Sequence, residues 1–168
     1  MIPVNRPLLP PLEEYVSHLR GVWDRMWLTN DGPLVRDLEA RLAEYLGAKH
    51  VVFTSNGTIA IQLLIKALDL RGEVVTTPFS YVATTSALVW EGCTAVFADI
   101  KPDSLTLDPD HVRRVLTDRT SAILATHVYG TPCDWRGLGD VAAERGIPVI
   151  YDAAHAFGAA HQIGRAHV

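Results

Sequence analysis

Apolar positions along the chain follow two alternating patterns: short β-branched or aliphatic runs, and longer stretches with a helical repeat. The short runs predict strands at His50–Thr54, Glu73–Thr77, Thr94–Asp99, Ser121–His127 and Pro148–Asp152. The stretches between them predict helices at Thr58–Leu70, Ser80–Glu91, Pro109–Leu116 and Trp135–Arg145. Strands that are apolar on both faces and alternate with helices are typical of a parallel sheet covered on both sides. The pattern therefore predicts an α/β fold.

The N-terminal part of the chain lacks this alternation. Residues 1–32 are dotted with Pro and Trp and contain a modest helical stretch, Leu12–Arg20, so we interpret them as an arm that leads into the domain. A helix is predicted from Pro33, which suits the first helical position, and Gly47 suits a left-handed cap after its last turn. We expect the domain itself to span residues 33–162.

Composition and charge exclude several classes of function. Of the 168 residues, 48% are apolar and 20% are charged, as in globular proteins. The net charge of −4 offers no basic surface for nucleic acid or an anionic membrane. The sequence has no apolar run long enough to span a bilayer and no secretory signal at its N-terminus. We expect a cytoplasmic protein with neither a nucleic-acid nor a membrane partner.

Cysteine and histidine give no sign of a metal site. Cys93 and Cys133 are isolated, which is typical of reduced thiols in a cytoplasmic protein. The seven histidines are scattered without the spacing of metal ligands, and we therefore assign no metal.

Ligands of open α/β sheets bind beyond the carboxyl ends of the strands, so the residues that follow each predicted strand are candidates for chemistry. After the first strand, Ser55–Thr58 turn directly into a helix whose free N–H groups favour an anion such as phosphate. Taken alone, an ordinary capped turn explains this motif better. After the second strand, Phe79 and Tyr81 offer aromatic rings that either stack on a planar ligand or lie in the core, and the pattern leaves both open.

Two further candidates follow later strands. His127 lies at the same rim as Tyr129, where a structural histidine is more common than a catalytic one. Asp152 ends an apolar strand, and its carboxylate requires either a cationic ring nitrogen or a helix to cap. Together, an anion cradle, an aromatic plate and a buried acid on one rim suit a phosphorylated aromatic cation, and pyridoxal phosphate is such a ligand.

Several strings in the sequence are familiar as a set. They are SNGTIAIQLL, EVVTTPFSYVATTSALVWEG, AVFADIKPDSLTLDP, TSAILATHVYGTPCDW and VIYDAAHAFGA, in this order. They resemble the DegT/DnrJ/EryC1/StrS family of pyridoxal-phosphate-dependent sugar aminotransferases, from Arg6 to Ala160. The resemblance implies fold type I, like aspartate aminotransferase: a large domain of three α/β/α layers with a mostly parallel sheet, here truncated.

The resemblance also implies roles for individual residues around the cofactor. The backbone of Gly57 and Thr58 would hold the phosphate of pyridoxal 5′-phosphate. Tyr81 would stack on the pyridine ring, and Asp152 would pair with the ring nitrogen and keep it protonated. His155, where many relatives carry Gln, would lie near the ring's 3-oxygen and the substrate.

Substrates and partners are implied in the same way. Thr29 and Asn30 lie in the string TNDGPL, which resembles a loop near the active site of the dimeric relatives, and His127 is a third candidate contact for the substrate. Relatives move an amino group, usually from glutamate, onto a nucleotide-linked keto-sugar. They are usually homodimers.

The lysine that holds the cofactor as an aldimine in this family has no counterpart among Lys49, Lys66 and Lys101. We expect it beyond the end of this chain, which would make residues 33–162 an incomplete cofactor-binding domain, inactive as given. The string IGRAHV is what a common sequencing-library adapter gives on translation. We therefore interpret residues 163–168 as a non-native tail.

Other functions remain open at this point. Some relatives carry histidine in place of the lysine and dehydrate the sugar, and a non-catalytic relative would bind pyridoxal phosphate or a sugar nucleotide as a regulator. A generic α/β domain would require the rim motifs to be coincidence. In the implied fold, further strands separate the first strand from the fifth, so we expect His50–Thr54 to lose its neighbour and the isolated chain to be poorly soluble.

Overall fold

A four-stranded parallel sheet forms the centre of the molecule in a computed structural model that describes residues 6–161 and 164–165. Its strands are β1 (Glu73–Thr76), β2 (Thr94–Phe97), β3 (Thr120–Thr126) and β4 (Val149–Asp152), in the spatial order β2-β1-β3-β4. All three pairings are parallel, with Val75 opposite Val96 on one side and Ile123 on the other. The alternating pattern therefore predicted the type of sheet and these strands correctly.

Helices precede and connect the strands. Those in the described part of the chain are α1 (Leu12–Arg25), α2 (Pro33–Leu46), α3 (Gly57–Ala67), α4 (Val82–Trp90), α5 (Pro109–Val115) and α6 (Trp135–Arg145), with a short 3₁₀ turn at Val128–Gly130. Pro33 begins α2, and Gly47 caps it with a φ of 65°, as predicted. The Asp108 carboxylate accepts the backbone N–H of Asp110 at 3.0 Å and so caps α5.

The helices cover both faces of the sheet. Successive residues of a strand point to opposite faces, so Val74 and Val75 belong to different cores. On one face, α3 and α4 pack Ile65 and Leu88 against Val74. On the other face, α5 and α6 pack Val112 and Leu138 against Val75. The result is the predicted arrangement of three α/β/α layers.

The order of the strands reverses beside β1. The chain passes from β1 through α4 to β2 on one side, then returns through α5 to β3 on the other side. The carboxyl ends of β1 and β3 therefore border a topological switch point, the place where open α/β sheets bind their ligands.

The predicted strand His50–Thr54 is wrong as a strand. Within residues 6–161 this segment pairs with none of the strands. A strand exists only where a neighbour completes its hydrogen bonds, and here the Phe53 N–H donates instead to the Glu39 carboxylate at 2.7 Å. Val52 is 76% exposed. The absence of a neighbouring strand beside residues 50–54 in the described part of the chain agrees with the expectation that this segment loses its neighbour.

The two ends of the chain lie outside the sheet. α1, in the predicted arm of residues 1–32, buries none of its residues. At the other end, β5 (Ala160–His161) and β6 (Gly164–Arg165) form an antiparallel pair. Of the predicted tail 163–168, only Gly164–Arg165 lies among the described residues, so its non-native origin stays a prediction. In the part of the chain that the structure describes, no helix combines the length and the apolar character needed to cross a membrane.

Candidate functional site

A cavity of about 300 Å³ opens at the carboxyl ends of β1 and β3. Its lining residues follow those two strands and β4: Pro78, Phe79, Ser80, Tyr81, Val128, Tyr129 and His155. This is the switch point of the sheet, so topology alone favours this cavity as the ligand site. Tyr81 and His155 are the predicted site residues that the structure brings together in its lining.

Aromatic rings form one wall of the cavity. The rings of Tyr129 and His155 lie parallel with centroids 5.9 Å apart, and Phe79 meets the Tyr129 ring edge-on at 6.3 Å. Tyr129 has a left-handed backbone, with a φ of 52°. Its N–H donates to His155 Nδ1 at 3.4 Å. Tyr81 directly precedes α4 and is 70% exposed. The exposed face of the Tyr81 ring suits stacking on a flat ligand ring.

The Asp152 carboxylate lies at the end of β4 and is held from two directions. Thr84 Oγ1 donates to Asp152 Oδ2 at 2.8 Å, and the Ala154 N–H donates to Asp152 Oδ1 at 3.2 Å. Thr84 in turn lies 2.7 Å from the Ser80 hydroxyl, which lines the cavity. The carboxylate is therefore half-buried, hydrogen-bonded and joined to the cavity wall through one side chain.

The start of α3 presents free N–H groups to solvent. The Asn56 side chain caps the helix by accepting the Ile59 N–H at 3.0 Å. The N–H groups of Gly57 and Thr58 fall in the first turn, where helix geometry offers no intrahelical acceptor. A Cβ built on Gly57 meets nothing within 4 Å, so the approach to this turn is open. Neither residue lines the cavity. Both lie in the first turn of α3, and the N-terminal end of a helix is the end that binds anions.

His127 lies beneath the rim rather than on it. Its side chain is 3% exposed, and its ring stacks on Tyr151 with centroids 5.0 Å apart. His127 Nδ1 accepts the Cys133 N–H at 3.0 Å, which places the proton of a neutral ring on Nε2. Burial lowers the pKa of His127, and the charge of Asp152 opposes that shift. The predicted substrate contact is thus placed in a supporting position.

We expect His127→Asn to be tolerated and His127→Ala to destabilise the fold. The Asn oxygen can accept the Cys133 N–H, whereas Ala leaves that buried N–H unpaired at a cost of about 1–3 kcal/mol. Urea unfolding of the complete gene product measures the free energy of unfolding of both variants. Equal losses in both variants would contradict this role for Nδ1.

The contribution of His127 to stability also depends on pH. Because the folded-state pKa of His127 lies below its usual 6.5, this contribution is full above pH 6.5 and declines as pH falls.

Thr29 and Asn30 lie in the connection between α1 and α2. The Trp27 indole N–H donates to the Thr29 carbonyl at 2.6 Å, and Asn30 has a left-handed φ of 42°. Both residues are exposed, and neither lines the cavity. Their predicted contact with substrate therefore stays a prediction.

The three lysines lie away from the cavity lining. Lys66 pairs with Glu91 at 2.7 Å, and Lys101 pairs with Asp134 at 2.9 Å. Lys49 precedes the unpaired segment His50–Thr54. No group of His, Cys, Asp and Glu side chains in the described residues is arranged to hold a metal ion.

Sequence reasoning missed the hydroxyl groups around Asp152. These belong to Ser80, Thr84 and Thr126, and the Thr126 hydroxyl lies 3.1 Å from that of Ser80. Ser80 lies just before α4 and Thr84 lies in its first turn, so their closeness in sequence was a usable signal. The proximity of Thr126 depends instead on the order of the strands.

Comparisons with known proteins agree with this geometry. A model of the DegT/DnrJ/EryC1/StrS aminotransferase family matches residues 12–166. The chain is 44% identical over 167 residues to the dTDP-4-amino-4,6-dideoxy-D-glucose transaminase of Escherichia coli. The alignment covers 99% of this chain and 45% of that protein.

Solved structures give the same result for the fold. A crystal structure of DesI in the presence of its TDP-sugar product has a TM-score of 0.92 at 43% identity, covering 95% of this chain and 41% of that chain. A crystal structure of NtdA from Bacillus subtilis with bound cofactor PMP has a TM-score of 0.84 at 32% identity, covering 88% of this chain and 34% of that chain. The predicted fold is confirmed, and the chain spans less than half the length of these relatives.

Proposed function

The chain belongs to the DegT/DnrJ/EryC1/StrS aminotransferase family, and from that premise we propose that it forms part of an enzyme that moves an amino group from glutamate to a nucleotide-linked keto-sugar. The observation that carries the proposal is the placement of Asp152. Its carboxylate ends β4 and is joined through Thr84 to the wall of an aromatic cavity at the switch point. A negative charge beside a flat cavity suits a protonated pyridine ring.

Pyridoxal 5′-phosphate is the cofactor of this family, and the homologous NtdA structure contains PMP, its amine form. The residues present fit this group: free N–H groups of Gly57 and Thr58 for the phosphate, Tyr81 for the ring face, and Asp152 for the ring nitrogen. When bound, the cofactor supplies an electron sink for the amine that is transferred.

The side chains around the cavity have separate tasks under this proposal. Asp152 holds a proton on the ring nitrogen by its negative charge. His155 Nδ1 accepts the Tyr129 N–H, so the His155 Nε2–H would be the group available to donate a hydrogen bond to the cofactor's 3-oxygen. The rings of Phe79 and Tyr129 form the aromatic wall on this side of the cavity.

The substrate class follows from the relatives. The Escherichia coli relative is named for a dTDP-linked amino sugar, and DesI was crystallised with a TDP-sugar product. We take the corresponding ketone, dTDP-4-keto-6-deoxyglucose, as the first substrate to test. A homodimer and a cytoplasmic location belong to the same proposal. Exposed Trp23 and Met26 on the arm support the dimer, and the buried free thiols of Cys93 and Cys133 support the location.

A lysine must complete the catalytic site. Amino transfer needs an amine that holds the cofactor and carries a proton to and from the reacting carbon. Because Lys66 and Lys101 are engaged in ion pairs and none of the three lysines lines the cavity, this lysine would come from sequence outside these 168 residues. The 168-residue chain alone is then inactive, with a partial cofactor site.

The complete product of the gene's reading frame tests the proposal directly. It is incubated with pyridoxal phosphate, ¹⁵N-glutamate and dTDP-4-keto-6-deoxyglucose, and the sugar nucleotide is analysed by mass spectrometry. We expect a labelled amino group on the sugar, and none when the 168-residue chain replaces the complete protein. Sequencing the source DNA across Gln162 shows whether a lysine follows.

Two results would contradict the proposal. Loss of water from the sugar without ¹⁵N incorporation indicates a dehydratase. Binding of cofactor and sugar nucleotide without any turnover indicates a regulator.

A further inference from the structure

Three side-chain hydroxyls form a continuous chain that ends on the Asp152 carboxylate. Thr84 Oγ1 lies 2.8 Å from Asp152 Oδ2, and Ser80 Oγ lies 2.7 Å from Thr84 Oγ1. Thr126 Oγ1 lies 3.1 Å from Ser80 Oγ and closes the chain at the end of β3. Thr84 and Thr126 are buried, with 0% and 3% of their surface exposed. The chain thus joins β3, β4 and the start of α4, with its two threonines buried and Ser80 at the cavity wall.

The direction of every proton in this chain is determined by the carboxylate. An ionised carboxylate only accepts hydrogen bonds, and each hydroxyl has a single hydrogen to donate. Thr84 must therefore donate to Asp152, which leaves its oxygen to accept from Ser80. Ser80 has then used its hydrogen, so Thr126 must donate to Ser80. All three O–H dipoles point toward the negative charge.

Hydrogen bonds arranged in this way strengthen one another. Each donor polarises the next, and the last one bonds to a charged acceptor, where hydrogen bonds are shortest and strongest. The other carboxylate oxygen, Asp152 Oδ1, accepts the Ala154 N–H at 3.2 Å. Rotation of the carboxylate would break bonds on both oxygens, so its orientation is fixed without a ligand.

Resting on the proposed function, we propose that Thr84, backed by Ser80 and Thr126, is a positioning residue that keeps the Asp152 carboxylate turned toward the ring nitrogen before the cofactor binds. Thr84 acts on the cofactor only through the carboxylate. Replacing Thr84 should therefore weaken binding only of a ligand whose ring nitrogen can carry a proton. If Thr84 had a purely structural role, its replacement would weaken binding of ligands with and without that nitrogen alike.

The experiment compares two ligands that differ at the ring nitrogen alone. Pyridoxamine 5′-phosphate and its analogue with C–H in place of that nitrogen are titrated by calorimetry into the complete protein freed of cofactor. Both bind without a covalent bond, so the readout is independent of turnover. The variants are Thr84→Val, which keeps the shape, Thr84→Ser, which keeps the hydroxyl, and Ser80→Ala. Thr85→Val is the matched control, since Thr85 is the next residue of α4 and donates no side-chain hydrogen bond among the described residues.

We expect Thr84→Val to weaken binding of pyridoxamine phosphate about tenfold or more and to leave the analogue unchanged. Ser80→Ala should give a smaller loss in the same direction, while Thr84→Ser and Thr85→Val stay near wild type. Equal losses for both ligands in Thr84→Val, or no loss for either, would overturn the inference alone. If the wild-type protein binds the two ligands equally, the proposed role of Asp152 fails and the inference fails with it.

Discussion

Replacement of Asp152 by asparagine is expected to lower the rate of amine transfer by about 10²–10³-fold, the usual cost of losing one preorganised electrostatic group. Asparagine has the same shape, and its oxygen can still accept from Thr84 as the carboxylate does at 2.8 Å. It has no negative charge, so it cannot hold a proton on a pyridine nitrogen. The predicted loss is therefore chemical rather than structural.

The rate is measured with the complete gene product, ¹⁵N-glutamate and the keto-sugar nucleotide. Asp69→Asn is the control, because it makes the same change at an exposed residue whose carboxylate pairs with Arg71. Thermal unfolding of both variants should match wild type within a few degrees, which separates chemistry from folding. Wild-type turnover in Asp152→Asn would contradict the role of Asp152 on which the proposed function rests.

The 168 residues expressed alone are expected to be poorly soluble and to bind hydrophobic dyes strongly. Trp90 is 82% exposed. Val52 is 76% exposed and lies in residues 50–54, which pair with none of the strands in the described part of the chain. Soluble monomers rarely expose large contiguous apolar patches, and an unpaired segment of this kind invites pairing with another chain. Sedimentation and dye fluorescence at increasing concentration measure the self-association.

A matched variant separates this cause from a general failure to fold. Val89→Lys combined with Trp90→Glu places charges at exposed positions at the end of α4, where both side chains already face solvent. We expect a clear gain in the soluble fraction. A sharp, cooperative thermal transition from a monomer of the unmodified 168-residue chain would show the prediction to be wrong.

Local patterns were sufficient for the layers of this fold. Strands apolar on both faces predicted a parallel sheet with two coverings, and Pro33 and Gly47 marked the ends of α2. The segment His50–Thr54 shows the limit of such reasoning. Its β-branched run is a sound strand pattern, but a strand also needs a partner, and the pattern contains no information about partners.

The candidate site was predictable in part for a related reason. Tyr81 follows a strand and Asp152 ends one, so the rule about carboxyl ends was enough to find these two, whereas His155 was implied only by the family resemblance. Burial of His127 depends on its stacking against Tyr151, and the hydroxyl chain through Thr126 depends on β3 lying beside β1. Both are consequences of the order β2-β1-β3-β4, which no local spacing encodes.

The residues around the switch point between β1 and β3 are synthesised in a fixed order. A ribosome delivers Ser80, Thr84 and Thr126 in that order, and Asp152 follows Thr126 by a few seconds at about 5–20 residues per second. The nascent chain thus holds three hydroxyl groups before the carboxylate to which they point exists. The negative charge that the proposed function pairs with the ring nitrogen therefore joins these hydroxyl groups only when β4 is made.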